Sequence, residues 1–157
     1  QMCIRDSPEG DLLAVHIASA CEWPDAALGL RELMVNAVEH GNLGITYDEK
    51  SALMDQGDLE AERERRLASP KHASKRVEVT VQRLPGSIEI TIRDAGGGFD
   101  FRRYMRLDES RLFDLHGRGV LMATSTLDVE YLEPGNQVRV RIPMAGSTAT
   151  SLEVPNG

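Results

Sequence analysis

The chain has 157 residues, of which 41% are hydrophobic and 27% charged, a composition typical of a single globular domain. Its 25 Asp and Glu outnumber its 18 Lys and Arg, so the net charge is −7; this argues against a nucleic-acid partner, because such binding needs clustered positive charge. Two cysteines are too few for a disulfide framework, and no apolar stretch approaches the roughly 20 residues that cross a bilayer. We therefore expect a cytoplasmic protein with no membrane partner.

The chain begins with a segment that we set apart from the fold. Residues 1–7 resemble the translation of an adapter used in sequencing libraries, and we interpret them as a non-native leader. An ordinary flexible N-terminus is the alternative. Residues 8–145 are expected to form the domain, which on the first interpretation can be the last part of a longer chain, and residues 146–157 a flexible tail.

Two helices are predicted early in the chain. Residues 11–21 carry a helical apolar pattern, and Pro24 precedes a second helix over residues 26–41 that ends at Gly41. On this second helix an apolar stripe is predicted to face the core, and a separate polar arc to face away from it. The stripe contains Leu30, Leu33, Met34, Ala37 and Val38, and the arc contains Glu32, Asn36, Glu39 and His40.

The remaining chain alternates between surface helices and hairpins. Residues 47–75 are rich in charge and are predicted to form two short surface helices. Apolar patterns of period two predict one hairpin over residues 77–92 and another over residues 129–142. Between the hairpins we expect a long loop over residues 100–116 and a helix over residues 120–127. This order predicts an α+β fold, a two-layer sandwich in which helices cover one face of a mixed, mostly antiparallel sheet.

The first of three candidate sites lies on the second helix. Glu32 and Asn36 are four residues apart on one helical face, and His40 follows one turn later. An amide oxygen is a hard ligand suited to Mg²⁺ when phosphates and waters complete the shell, and a carboxylate one turn away can act as a general base. For this pattern alone, a solvated helix face is the alternative.

The second candidate site is Asp94, which ends a predicted strand and is followed closely by three glycines. A carboxylate there can accept a hydrogen bond from an exocyclic amine such as adenine N6, and glycines let the backbone approach a flat base. A flexible turn is the alternative. The glycine spacing is not that of a dinucleotide fingerprint, and the sequence contains no lysine-bearing phosphate loop, so Rossmann and P-loop folds are excluded.

The third candidate site is Gly117, Arg118 and Gly119, directly before the predicted helix over residues 120–127. Backbone N–H groups at a helix N-terminus attract anions, so this site is suited to phosphate, and Arg118 can reach a terminal phosphate. The alternative is a simple turn before a core helix, with Arg118 in solvent.

In this order the three sites resemble the motifs of the GHKL superfamily of ATP-binding domains, which includes gyrase, heat-shock chaperones, histidine kinases and mismatch-repair ATPases. The resemblance covers residues 11–143. It is strongest to the anti-sigma-factor serine kinases and to the ATPase domains that follow phosphatase and receiver domains in bacterial regulators, because of the string Glu-Leu-Met-Val-Asn-Ala-Val-Glu-His-Gly. It implies a Bergerat-type ATP-binding fold with ATP and Mg²⁺ as cofactors.

The resemblance also implies residue roles. Asn36 would hold Mg²⁺ and Glu32 would be the catalytic base, while Asp94 would bind adenine N6. Residues 100–116 would form a lid over the nucleotide. The other implied ATP-binding residues are His40, Gly96, Gly98, Gly117, Arg118, Gly119 and Asn136.

Two features depart from the family pattern. The family often has threonine after the glycine of the last turn, where this chain has Asn136. Residues 48–76 also form a longer segment than in compact anti-sigma kinases, and the sequence does not explain its role.

Three functions are compatible with these residues. The first, implied by the resemblance, is an ATP-dependent protein serine kinase that phosphorylates an anti-sigma-factor antagonist protein and sequesters a sigma factor. The second is a non-catalytic ATP-sensing domain at the end of a phosphatase or receiver regulator. The third is an interaction domain that binds no nucleotide. Homodimers are common among the proteins that the chain resembles, so a homodimer is one expected state.

Overall fold

The structure is a computed structural model that describes residues 1–99 and 127–144. Its α-helices in this part of the chain are α1 (Ser7–Ala20), α2 (Ala26–Asn36), α3 (Tyr47–Gln56) and α4 (Leu59–Ala68), and a π-helix (Ala37–Asn42) continues α2. The described strands are β1 (Met2–Ile4), β2 (Val77–Leu84), β3 (Ser87–Arg93), β4 (Asp128–Leu132) and β5 (Gln137–Pro143).

The five described strands form one sheet in the order β1-β2-β3-β5-β4, and every neighbouring pair is antiparallel. The register aligns apolar residues across the sheet, with Val79 opposite Ile92 and Ile92 opposite Val138. Residues of the other face are mostly polar, and there Glu89 forms ion pairs with Arg139 and Arg141. An α+β fold with both predicted hairpins is therefore confirmed, although the described sheet is antiparallel throughout rather than mixed.

The helices α1 and α2 pack on the apolar face of the sheet. All five residues of the predicted apolar stripe are buried in one core cluster with residues of α1 and of the strands. Val79, Ile90 and Val140 supply the sheet side of this core and are fully buried. The stripe prediction is confirmed: Leu30, Leu33 and Met34 follow the 3.6-residue period of α2, and Ala37 and Val38 continue the stripe at the start of the π-helix.

The N-terminal residues take part in the sheet. Met2 and Ile4 lie opposite Val79 and Val77, and Ile4 is only 3% exposed. Helix α1 begins at Ser7, where the Asp6 side chain accepts a hydrogen bond from the N–H of Glu9 at 3.0 Å. The described fold thus includes residues that the sequence-based interpretation set apart, and α1 begins four residues earlier than predicted.

The second predicted helix changes its geometry after Asn36. The chain continues there as a π-helix, and the N–H of Leu43 donates to the carbonyl of Val38 five residues earlier, at 2.9 Å. This wider turn rotates the following side chains relative to an α-helix. The predicted polar arc is wrong for Glu39, whose side chain is 0% exposed.

Residues 47–75 contain the two predicted surface helices, α3 and α4, in which no residue is fully buried. Thr46 starts α3 with a capping box: its hydroxyl accepts from the N–H of Glu49, whose carboxylate accepts from the N–H of Thr46. The predicted loop and tail, and the helix predicted over residues 120–127 apart from its last residue, lie outside the described residues. Among the described helices, none has the length and hydropathy needed to cross a membrane.

Candidate functional site

A cavity of about 660 Å³ lies beside the C-terminal half of α2. The π-helix, the residues after it, the end of β3 and the β4–β5 hairpin form its walls. Its volume falls in the range of pockets that hold a small ligand. The aliphatic part of the wall comprises Leu33, Ala37, Ile45, Ile92 and Val138, and Tyr47, Phe99 and Tyr131 add aromatic rings.

Many of the predicted site residues meet at this cavity. Those in its wall are Asn36, His40, Asp94, Gly98 and Asn136. Within residues 1–99 and 127–144, Glu32 and Gly96 are not part of the wall. The predicted phosphate site at Gly117, Arg118 and Gly119, and the predicted lid over residues 100–116, lie outside the described residues.

Asp94 is held closely by backbone on two sides. The N–H of Gly96 donates to its Oδ1 at 2.7 Å, and a β-carbon on Gly41 would overlap the carboxylate. Burial raises the pKa of Asp94 above its ordinary value, which the Gly96 hydrogen bond and the charge of Lys75 partly oppose. The carboxylate therefore has little freedom to move. Gly41, which lies within the π-helix rather than ending a helix as predicted, is needed for this close packing.

Gly98, after Asp94, and Gly135, in the β4–β5 turn, have a packing role. Gly98 has a φ of 83°, and a β-carbon there would overlap the carbonyl oxygen of Pro134. Gly135 has a φ of 103°, and its β-carbon would overlap the carbonyl oxygen of Phe99. The loop after β3 and the β4–β5 turn thus approach each other backbone to backbone, which only glycine allows at these positions.

Asn136 ties the β4–β5 turn to the Asp94 loop. Its side-chain Nδ2 donates to the backbone carbonyls of Asp94 and Gly96 at 3.3 and 3.4 Å. Its backbone carbonyl accepts from the N–H of Asp94 at 3.0 Å. The sequence singled out Asn136 as a departure from the threonine of the resembling family. In the structure its amide N–H groups are engaged with the backbone of the loop that carries Asp94.

His40 presents a buried ring nitrogen at the cavity. Its Nδ1 lies 2.5 Å from the carbonyl oxygen of Ile45, and because a carbonyl only accepts, Nδ1 carries the proton. Its Nε2 is buried and has no hydrogen-bond partner among the described residues. Burial lowers the pKa of His40 below its ordinary value, so at neutral pH Nε2 is an acceptor. The ring stacks on Tyr47 with centroids 4.0 Å apart.

Glu32 lies one helical turn before Asn36, but its side chain is engaged elsewhere. Its carboxylate is 3.4 Å from Nη1 of Arg31 and its side chain is 22% exposed. Arg31 also donates from Nε to Asp11 at 2.9 Å. The long distance indicates a weak ion pair, which a competing partner can displace.

Sequence reasoning missed two parts of the site. Thr46, Tyr47 and Asp48 line the cavity. In the sequence, the spacing of Thr46 and Glu49 indicates the start of a helix and gives no sign of a ligand site. Glu39 is fully buried and forms ion pairs with Lys50 at 2.6 Å and with Arg63, joining the π-helix to α3 and α4. These ion-pair partners are too distant in sequence for a periodicity argument to identify.

No known family model matches the chain, and a search of curated proteins finds no match either. In the described part of the chain, no cluster of three or more His, Cys, Asp or Glu side chains is placed to hold a metal ion.

Proposed function

We propose that the cavity binds ATP with Mg²⁺ and that the chain is a regulatory ATP-binding domain of the GHKL type. The observation that carries the proposal is the meeting of Asn36, Asp94 and Asn136, from three separate parts of the sequence, at one cavity of about 660 Å³. An antiparallel sheet with helices packed on its apolar face is compatible with the Bergerat-type fold that the resemblance implies.

Asp94 is suited to bind the adenine end of the nucleotide. A half-buried carboxylate at the wall can accept a hydrogen bond from the adenine N6 amine, and Leu33, Ile92 and Val138 supply apolar surface for the base. Glycine at position 98 keeps the adjoining backbone free of a β-carbon. Because Asp94 is fixed by Gly96, it needs little reorganisation to bind.

Asn36 and His40 are suited to the phosphate and ribose end. Asn36 offers a side-chain oxygen at the wall, and Mg²⁺ characteristically binds through one or two protein oxygens together with phosphates and waters. The ion, when bound, neutralises charge on the phosphates. The buried Nε2 of His40 can accept a hydrogen bond from a nucleotide hydroxyl or from a water.

As the reaction, we propose transfer of the terminal phosphoryl group of ATP to a serine hydroxyl of an anti-sigma-factor antagonist protein, with ADP as the other product. Glu32, one turn before Asn36, would take the proton of the attacking hydroxyl. Its weak ion pair with Arg31 leaves the carboxylate available for this role. Binding of a sigma factor, a homodimer and a cytoplasmic setting belong to the same proposal.

A non-catalytic ATP-sensing domain is the second candidate. The position of Glu32 favours it, because Glu32 is absent from the described cavity wall and its carboxylate faces Arg31 instead. In this case ATP binding would alter a fused phosphatase or receiver domain without phosphoryl transfer.

Replacing Glu32 with Gln tests the two candidates. For a kinase, Glu32→Gln retains MgATP affinity within about twofold and loses about 10²- to 10⁴-fold in transfer of labelled phosphate to the antagonist serine. Glu64→Gln, an exposed carboxylate on α4, is the matched control and retains both. A parent chain that binds MgATP but labels no antagonist serine supports the sensor. MgATP affinity unchanged in Asn36→Ala contradicts the proposed site itself.

A further inference from the structure

The segment of residues 47–75, which contains α3 and α4, contacts the end of the π-helix with basic side chains. Arg66 donates from Nη1 to the carbonyl of Leu43 at 3.1 Å. His72 donates from Nδ1, and Lys75 from Nζ, to the carbonyl of Asn42 at 2.8 and 2.9 Å. The last carbonyls of a helix lack partners within the helix, and basic side chains satisfy them here.

The side chain of Asn42 extends this contact to the candidate site. Asn42 is 2% exposed, and its Oδ1 accepts a hydrogen bond from the N–H of Ala95 at 2.7 Å. The next residue, Gly96, donates its own N–H to Asp94. One buried residue therefore joins His72 and Lys75 on one side to the turn that fixes the Asp94 carboxylate on the other.

We propose that Asn42 is a positioning residue for Asp94 and that Lys75 and His72 hold Asn42 in place. The proposal rests on the ATP site proposed above. It assigns a role to the end of the long segment that the sequence left unexplained: residues 72 and 75, which do not line the described cavity, set its affinity for ATP by fixing the Asp94 loop.

The geometry supports an effect on affinity as well as on stability. A hydrogen-bond acceptor must lie within a few tenths of an ångström of its best position to bind a fixed donor well, and the Asp94 carboxylate takes its position from the backbone of residues 95 and 96. A contact with a merely structural role would change the stability of the chain but leave the affinity of the folded protein unchanged.

The test compares Lys75→Met with two matched variants. Lys75→Arg keeps a cationic donor, and Lys71→Met removes an exposed lysine from the same segment. Two quantities are measured well below the unfolding temperature: MgATP affinity by calorimetry, and the hydrogen-exchange rate of the Ala95 amide by NMR without nucleotide. The amide rate reports the Asn42 contact directly.

We expect Lys75→Met to weaken MgATP binding about tenfold, as for loss of one charged hydrogen bond, and to speed Ala95 exchange by about the same factor. Lys75→Arg should restore both within about twofold, and Lys71→Met should change neither. Asn42→Ala, if it folds, should show the larger effect on both measurements.

Unchanged Ala95 exchange in Lys75→Met, or faster exchange with unchanged MgATP affinity, overturns the proposal. If the parent chain binds no MgATP, the proposed function fails and the claim on affinity fails with it. In that case Ala95 exchange alone decides whether Lys75 and Asn42 position the Asp94 loop, so the two failures are distinguishable.

Discussion

Gly98 shows how backbone packing limits the sequence at the cavity. Its φ of 83° is unfavourable for residues with a side chain, and a β-carbon would also overlap the carbonyl oxygen of Pro134. The adjacent Gly97 has no atom within 4 Å of the place of its β-carbon. There is therefore room for a β-carbon at position 97 but none at position 98.

Gly98→Ala should therefore destabilise the chain by about 2–4 kcal/mol, from backbone strain and the overlap together. Gly97→Ala, the matched control, should change the free energy of unfolding by no more than about 0.5 kcal/mol. Urea denaturation measures both. Equal effects of the two substitutions would contradict the described approach of the loop to the β4–β5 turn.

His40 makes the stability of the chain depend on pH. Burial is the main cause that lowers its pKa, and the charge of Lys50 acts in the same direction. Because the unfolded chain binds the proton at higher pH than the folded chain does, stability from this residue is present above about pH 6.5 and decreases as pH falls below it.

We expect His40→Gln to reduce the loss of stability between about pH 6.5 and pH 5, relative to the parent chain. The measurement is a series of urea denaturations across this range. A parallel pH dependence for His40→Gln and the parent would show that His40 titrates as it does in the unfolded chain.

At the scale of elements, the π-helix is held by a buried carboxylate. Glu39 has no exposed side-chain surface and pairs with Lys50 of α3 and Arg63 of α4. Removing one partner of a buried ion pair leaves charge that neither water nor the protein compensates fully. The attachment of α3 and α4 to the rest of the domain therefore depends on this cluster.

Lys50→Met should destabilise the chain by about 2–4 kcal/mol, since Arg63 is then the one remaining ion-pair partner of Glu39 among the described residues. Arg65→Met, which removes an α4 side chain that is 67% exposed and paired with Glu62, should cost less than about 1 kcal/mol. Thermal or urea unfolding gives both values. Similar costs for the two variants would contradict the importance of the buried pair.

Elements that depend on local periodicity could be predicted from the sequence. The apolar stripe of the second predicted helix and both hairpins follow from spacing, and the two surface helices follow from the charge-rich composition of residues 47–75. The π-helix could not, because an α-helical wheel assumes 100° per residue, whereas Glu39 is directed by partners 11 and 24 positions later. Strand β1 was not predicted, because residues 1–7 resemble an adapter translation and are interpreted from sequence as a non-native leader.

At the scale of the whole molecule, the fold brings Asn36, Asp94 and Asn136 to one cavity, as the order of the motifs led us to expect. The sequence did not indicate that Asn42 links the Asp94 loop to residues 72 and 75, since each contact joins residues at least 30 positions apart. It also did not indicate that Glu32 faces Arg31. Side-chain direction of this kind depends on tertiary packing.

The net charge of −7 does not oppose an anionic ligand at this cavity. Long-range charge affects mainly the rate of encounter, whereas affinity depends on groups in direct contact. In the proposed function, Mg²⁺ would neutralise phosphate charge, the amide oxygen of Asn36 would bind the ion, and the Asp94 carboxylate would accept a hydrogen bond from the base. ATP binding should therefore require Mg²⁺, and selectivity for the adenine base should depend on Asp94.

Calorimetric titration with MgATP tests this central claim most directly, on the parent chain, on Asp94→Asn and on Asp55→Asn. Asp55 is an exposed carboxylate of α3 outside the cavity wall, so it is the matched control. We predict one ATP per chain for the parent and Asp55→Asn, and an affinity about 10- to 100-fold weaker for Asp94→Asn, as for loss of a charged hydrogen bond. Absence of binding to the parent, or equal affinity for Asp94→Asn, would contradict the account.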